Sequence, residues 1–182
     1  MVSVKASVDI QADPAAVFDL MTDVPRKAKL DRSVHVIGIA RETPGPIREG
    51  TVFHYRLVIE DKMADYRNTV IAFEPGRLMV TRSDSNPHFE ISIVVEPIEG
   101  GARVTQEERF TLTAMAMPIP TAQGIFGGFM RLLFGGAEKI EQDAEDLAAE
   151  EEEMATKLQP RLEAWLQSIK KHLETQTGYL EA

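Results

Sequence analysis

The chain has 182 residues, 43% of them apolar, and no cysteine. That length suits one domain with a sizeable core, while the missing cysteine excludes disulfide frameworks and thiol-based metal or catalytic sites. The formal net charge is −9, and eight units of it come from residues 138–153, where nine acidic residues stand against Lys139. We interpret this acidic stretch as a solvated helix face, and without a basic surface we expect no nucleic-acid partner.

The sequence also bears on where the protein resides. Its first ten residues alternate between polar and apolar types and do not form a basic-then-apolar secretory leader. No apolar run approaches the roughly 20 residues that span a bilayer. We therefore expect a cytoplasmic protein.

The chain opens with a predicted strand and two short helices. Apolar and polar residues alternate over Val2–Ile10, which is the period of a half-buried strand. Asp13-Pro14 combines a helix-capping residue with a proline suited to the first turn, so we expect a helix over residues 15–21. A second short helix is predicted over residues 23–30.

Six further strands are predicted without helices between them. Each is apolar or alternating and is bounded by turn-forming residues such as glycine, proline and aspartate. We place them over residues 34–40, 51–60, 64–73, 78–82, 89–95 and 104–112. A two-residue turn at Asp61-Lys62 is expected to join the second and third of these strands.

A long helical tract is predicted over residues 137–174. Pro160 lacks the N–H that a continuing helix needs but suits a first turn, so we expect a kink or break there. Beyond Pro160, five apolar residues recur at a spacing that places them on one helical face: Leu162, Trp165, Leu166, Ile169 and Leu173. We expect this face to cover the apolar side of the sheet, giving an α+β fold.

Several short motifs resemble the START-like or polyketide cyclase/dehydrase superfamily. Residues 10–18 (IQADPAAVF) are similar to the opening strand, small-acid-proline turn and helix of that family. Gly50-Thr51, residues 73–78 (FEPGRL) and residues 100–105 (GGARVT) fall where the family has similar turns. The resemblance covers residues 1–112 motif by motif, and the C-terminal tract by position and periodicity.

The resemblance implies a Bet v 1-like helix-grip fold, in which a seven-stranded antiparallel sheet curves around a long C-terminal helix. We expect residues 1–182 to form a single domain of this kind, with a cavity between sheet and helix. The family includes lipid and sterol carriers, quinone-binding proteins, hormone receptors and polyketide cyclases. It therefore predicts a site for a small hydrophobic molecule more firmly than it predicts a reaction.

Residues 114–136 form an apolar, glycine-rich segment that departs from the plainer family pattern by its length. Three interpretations remain open: a short helix packed on the core, a lid hinged at its paired glycines, or a contact for a membrane or partner. The residues that would make a membrane contact share one face if the segment is helical: Ile125, Phe126, Phe129, Leu132 and Leu133.

Strand parity selects the polar side chains expected to face the cavity. They are Tyr55, Tyr66, Asn68, Gln106 and Glu108. Three large residues expected on the same interior surfaces complete the predicted ligand contacts: Phe53, Phe89 and Trp165.

Glu108 is the best candidate for a catalytic residue. A carboxyl group facing an apolar cavity has a raised pKa, which suits a general acid or base. The alternative is an exposed glutamate paired with Arg109 or a neighbouring arginine. The four histidines show no metal-binding spacing and His54 is expected on the outer surface; we predict neither a metal nor a cofactor.

Three functions follow as competing hypotheses. The first is the binding or transport of a small hydrophobic ligand such as a lipid, quinone or polyketide. The second is an enzyme of the polyketide cyclase/dehydratase type, with Glu108 or a tyrosine moving a proton. The third is a membrane-associated lipid or quinone chaperone that uses residues 125–134 as its contact. The sequence predicts no particular oligomeric state.

Overall fold

The computed structural model describes residues 1–31, 35–59, 62–85, 88–110 and 144–177. Seven strands and three helices occupy those ranges. In chain order they are β1 (Val2–Ile10), α1 (Pro14–Thr22), α2 (Val24–Ala28), β2 (His35–Arg41), β3 (Val52–Ile59), β4 (Lys62–Glu74), β5 (Leu78–Ser83), β6 (Phe89–Ile98), β7 (Gly101–Phe110) and α3 (Ala144–Thr177).

The seven strands form one antiparallel sheet in the order β1-β7-β6-β5-β4-β3-β2. Register shifts between Val36 and Gly38 in β2, and between Val70 and Ala72 in β4, interrupt the regular pairing. Such irregularities bend a strand and increase its twist, which helps a sheet to curve. The predicted α+β helix-grip architecture is confirmed.

The alternation of β1 explains how the sheet acquires a buried face. Its five even-numbered residues are buried and its odd-numbered residues are exposed. The buried face continues across the sheet and meets one side of α3, where Met154, Leu162, Leu166 and Ile169 are at most 4% exposed. The core therefore lies between the concave face of the sheet and α3.

Each of the two short helices is capped by an aspartate at its start, and the first of these, Asp13, is the one predicted from the sequence. The Asp13 side chain accepts hydrogen bonds from the backbone N–H groups of Ala15 and Ala16, at 2.9 and 3.2 Å. Asp23 accepts from the N–H of Arg26 at 3.2 Å. Each carboxylate satisfies a first-turn donor that the helix leaves unpaired.

Of the kink or break expected at Pro160, the break does not occur. Helix α3 runs without a break from Ala144 to Thr177 and contains Pro160. A proline inside a helix removes one backbone hydrogen bond. Buried residues on both sides of it, Met154 before and Leu162 after, pack into the same core, so tertiary packing outweighs the local preference.

Helix α3 lies along β1, which is an edge strand of the sheet. The Gln159 amide donates to the carbonyl of Lys5 at 2.9 Å, and the Lys170 ammonium donates to the carbonyl of Asp9 at 2.6 Å. These side chains satisfy backbone acceptors that an uncovered edge strand would offer to another chain.

Gly101 sets how closely the start of β7 approaches the end of β1. A Cβ atom at this position would lie 2.0 Å from the carbonyl oxygen of Ile10, so only glycine fits there. Gly100, directly before it, has a φ of 76°, a region that favours glycine.

The expected turn at Asp61-Lys62 is misplaced by one residue. Ile59 pairs with Lys62, so residues 60–61, which lie outside the described residues, separate the two strands. The correction shifts the β3–β4 pairing by two residues, so each side chain keeps its predicted face. Tyr55 is consequently directly opposite Tyr66.

Candidate functional site

The predicted contact residues lie where strand and helix periodicity put them, on the concave face of the sheet and the facing side of α3. Phe53, Asn68 and Gln106 are at most 2% exposed. The structure brings the aromatic residues into direct contact. The rings of Tyr55 and Tyr66 stack with centroids 4.8 Å apart, and Tyr66 meets Phe89 edge-on at 5.3 Å. Whether these residues hold a ligand remains a prediction.

The two tyrosines place their hydroxyl groups in an apolar setting. Burial raises the pKa of both Tyr55 and Tyr66, and Glu108 raises that of Tyr66 further. Asn68 is close enough to the Tyr55 hydroxyl to lower its pKa against the effect of burial. Yet neither the amide nitrogen nor the amide oxygen of Asn68 makes a hydrogen bond of normal geometry within the described part of the chain.

Glu108 faces the interior from β7 together with Gln106. The Gln106 amide donates a hydrogen bond to the Glu108 carboxyl group at 2.8 Å. Burial raises the pKa of Glu108, while Gln106, Lys27 and Arg161 act in the opposite direction. A carboxyl group in this position keeps its proton to a higher pH than an exposed glutamate does, which suits proton exchange.

The alternative of Glu108 as a surface residue paired with Arg109 is not what the structure shows. Arg109 lies 3.7 Å from Glu107. Glu107 precedes Glu108 in β7 and faces the opposite side of the sheet from it. The Ser3 hydroxyl also donates to Glu107, at 2.9 Å. The ion pair expected for a glutamate in this run therefore exists, but it belongs to Glu107.

Lys27 also lies beside these interior residues, and the sequence analysis did not predict it. It lies in α2, is 6% exposed, and its ammonium nitrogen is 5.3 Å from the centroid of the Trp165 ring. Burial lowers its pKa from 10.5 to about 8, and Glu108 opposes that change. The helical spacing was a usable signal, since Lys27 follows the buried Val24 by three residues.

Several buried polar atoms of these interior side chains lack a hydrogen-bond partner among the described residues. Within the described residues, the buried side-chain nitrogen and oxygen atoms without a hydrogen bond are Asn68 Nδ2, Asn68 Oδ1, Gln106 Oε1 and Trp165 Nε1. They include both donors and acceptors, and all belong to residues predicted to contact a ligand. The arrangement can therefore bind a molecule that offers both hydrogen-bond donors and acceptors within an apolar body.

His54 lies on the outer face of the sheet, as the alternation of β3 predicts, and contacts Asp65 at 2.6 Å. In the described ranges, no group of three or more histidine, aspartate or glutamate side chains is arranged to hold a metal ion. No helix in those ranges combines the length and apolar character needed to cross a membrane.

The proposed membrane-contact residues Ile125, Phe126, Phe129, Leu132 and Leu133 lie outside the described residues. So does the whole of residues 114–136, together with the start of the C-terminal tract. The choice between core helix, lid and membrane contact stays open.

A family model described as polyketide cyclase / dehydrase and lipid transport matches residues 1–174. The chain belongs to this family. Membership agrees with the curved sheet, the long α3 helix and the interior between them, and it confirms the resemblance seen in the opening motifs. The family description names both enzymes and lipid transport, so membership alone does not decide between them.

Several solved structures share the fold. A polyketide cyclase-like protein from Corynebacterium glutamicum is 20% identical with a TM-score of 0.61, covering 97% of this chain and 94% of its own. The ZhuI aromatase/cyclase from Streptomyces sp. R1128 is 13% identical with a TM-score of 0.63, covering 96% of this chain and 94% of its own. A protein from Thermus thermophilus is 18% identical with a TM-score of 0.60, covering 94% of this chain and 96% of its own.

These identities are low enough that the structures establish the fold and not the activity. No functionally curated sequence matches the chain.

Proposed function

We propose that this member of the polyketide cyclase / dehydrase and lipid transport family binds a small hydrophobic ligand between the concave face of the sheet and α3. The observation that carries the proposal is the set of buried, unpartnered polar atoms that Asn68, Gln106 and Trp165 contribute within the described residues. Each such atom costs about 1–3 kcal/mol in an unliganded interior. A ligand that hydrogen-bonds to them would offset this cost.

The surroundings of these atoms support a mostly apolar ligand. Phe53, Leu57, Phe89 and Ile93 are buried on the same face of the sheet, and the Tyr55–Tyr66 stack lies beside Asn68. Sites for small molecules combine such an apolar lining with a few convergent polar groups. The ligand would be apolar over most of its surface, with hydroxyl or carbonyl groups that meet Asn68 and Gln106.

Native mass spectrometry of the freshly purified protein, followed by organic extraction, tests the proposal. We expect a discrete adduct that the extraction recovers as a hydrophobic molecule. Asn68→Leu should lose the adduct and raise the free energy of unfolding by about 1 kcal/mol or more, because it removes two unpartnered atoms. Thr69→Val, the next residue on the opposite face, is the matched control and should keep the adduct.

Two results would count against binding in this interior. One is an adduct that survives Asn68→Leu at full occupancy. The other is a clean apo mass combined with no uptake of N-phenyl-1-naphthylamine, a neutral fluorophore that brightens in apolar sites.

A second candidate function is a cyclase or dehydratase reaction, and the position of Glu108 favours it. Its carboxyl group faces the interior, has a raised pKa and lies close enough to the Tyr66 hydroxyl to influence its pKa. These are properties of a general acid or base. If the protein only carries its ligand, Glu108→Gln should keep the adduct seen by mass spectrometry unchanged. If it is an enzyme, the same variant should accumulate an unconverted precursor in the extract.

A further inference from the structure

Lys27 is a buried cation that forms no ion pair of ordinary geometry with the described residues. Among the described residues, no carboxylate lies within ion-pair distance of its ammonium group. Lysine is seldom buried without a partner, because the ammonium group loses its hydration. The contact with the Trp165 ring, at 5.3 Å, offsets only part of that loss.

The indole N–H of Trp165, the residue whose ring Lys27 contacts, is a second buried donor. It is buried and makes no hydrogen bond within the described part of the chain. The ammonium group of Lys27 lies over the ring that carries this N–H. Two donors, one of them charged, therefore stand together where the described residues supply no acceptor to either.

The charged group that acts on Lys27 is Glu108 from β7. The pKa of Glu108 is in turn influenced by Lys27, by Asp31 after α2 and by Arg161 from α3. Burial favours the protonated form of Glu108, and that form donates a hydrogen bond instead of repelling an anion. Arg161 adds a second positive charge near the same carboxyl group.

We propose that the interior selects a hydrophobic carboxylic acid, whose carboxylate is bound by the ammonium group of Lys27 and the indole N–H of Trp165. This inference rests on the proposed function and adds the chemical class of the ligand. The apolar part of the acid lies along the concave face, and any hydroxyl or carbonyl groups meet Gln106 and Asn68.

A competition experiment with matched probes tests this. N-phenyl-1-naphthylamine serves as the fluorescent probe of the interior, and decanoic acid and 1-decanol are added as competitors; the two share an alkyl chain and differ in the polar group, a carboxylate or a hydroxyl. We expect the acid to displace the fluorophore at a concentration roughly tenfold or more below that of the alcohol, because hydrogen bonds to charged groups are stronger than those to neutral ones. Trp165 is the only tryptophan in the chain, so its emission should also change on adding decanoic acid.

Three variants assign the effect to the two donors. Lys27→Met should bring the acid and alcohol to equal effectiveness, while Lys29→Met, an exposed lysine at the end of the same helix, should leave the preference intact. Trp165→Phe keeps an aromatic ring and loses the N–H, and it should reduce the preference severalfold. Circular dichroism checks that each variant is folded.

The possible failures are distinguishable. If the fluorophore binds but acid and alcohol compete equally, or if the preference persists in both Lys27→Met and Trp165→Phe, the carboxylate proposal is overturned and the hydrophobic-ligand function stands. If neither the fluorophore nor either competitor binds, both are overturned.

Discussion

Polar side chains differ in exposure and pairing between the two sides of the sheet. On the outer face, charged side chains are exposed and paired: Arg103 binds both carboxylate oxygens of Asp9, at 2.7 and 2.9 Å, and Arg67 does the same with Glu42. On the inner face, Asn68 and Gln106 are buried with incomplete hydrogen bonding among the described residues, and Lys27 of α2 is buried beside that face. Outer pairs suit a surface, whereas the inner groups cost stability, which is typical of a binding site.

The largest expected difference between the faces is at Lys27. Its pKa is lowered from 10.5 to about 8, and since one pKa unit corresponds to about 1.4 kcal/mol, burying the charged form costs about 3 kcal/mol at pH 7. We expect Lys27→Met to raise the free energy of unfolding by an amount of this order. Urea denaturation measures it, with the exposed Lys29→Met as the control that should change little.

The same shift has a definite sign in the pH dependence of stability. The native protein releases the Lys27 proton near pH 8, while the unfolded chain holds it to about 10.5. Between these values the unfolded state binds more protons, so the Lys27 penalty disappears as the pH rises. The stability gap between Lys27→Met and the parent should therefore close over this window; a gap that is constant with pH would contradict the assignment.

An intermediate effect is expected at Glu108. Its pKa is raised by burial, so the native state binds the proton more tightly than the unfolded chain. The resulting stabilisation is complete at low pH and is lost as the pH rises through the folded-state value. Glu108→Gln is neutral throughout and should gain stability over the parent as the pH rises above about 4, where the unfolded chain releases the Glu108 proton. Glu107→Gln, on the outer face, should show no comparable gain.

The smallest effect is expected for the outer pairs. The Arg103 guanidinium lowers the pKa of Asp9, but both groups are solvent-exposed. Exposed ion pairs contribute little and are screened by salt. Arg103→Gln should leave the thermal midpoint close to that of the parent, and raising the salt concentration should reduce what difference remains. If Arg103→Gln lost as much stability as Lys27→Met gains, the contrast between the two faces would be contradicted.

Periodicity predicted the sheet well because burial enforces it. In β1, the alternation of apolar and polar residues matches the alternation of buried and exposed side chains. Even the misplaced turn between β3 and β4 preserved the interior set, because the register error was two residues and the side-chain period is two. Tyr66, Asn68 and Gln106 were therefore found from sequence alone as residues of the inner face.

Local rules failed where tertiary packing decides. A proline such as Pro160 favours a kink or break when only the local sequence is considered. The helix is nevertheless continuous there, because residues before and after Pro160 pack into the same core. Lys27 was overlooked because a lysine in a five-residue helix is ordinarily on the surface. Only the position of α2 against Trp165 and Glu108 shows that this lysine turns inward. The charged residues of a site are thus harder to predict than its apolar wall.

The pairing of β1 with β7 has a consequence for biosynthesis. Val2 pairs with Phe110, and the helix that covers the outer edge of β1 begins at Ala144. During translation, β1 is therefore made long before β7 and α3, the two elements that pack against it, have been synthesised. Long-range pairing of this kind slows folding and leaves an apolar strand open to wrong partners. We therefore expect the nascent chain to depend on chaperones most while β1 is complete and β7 is still being made.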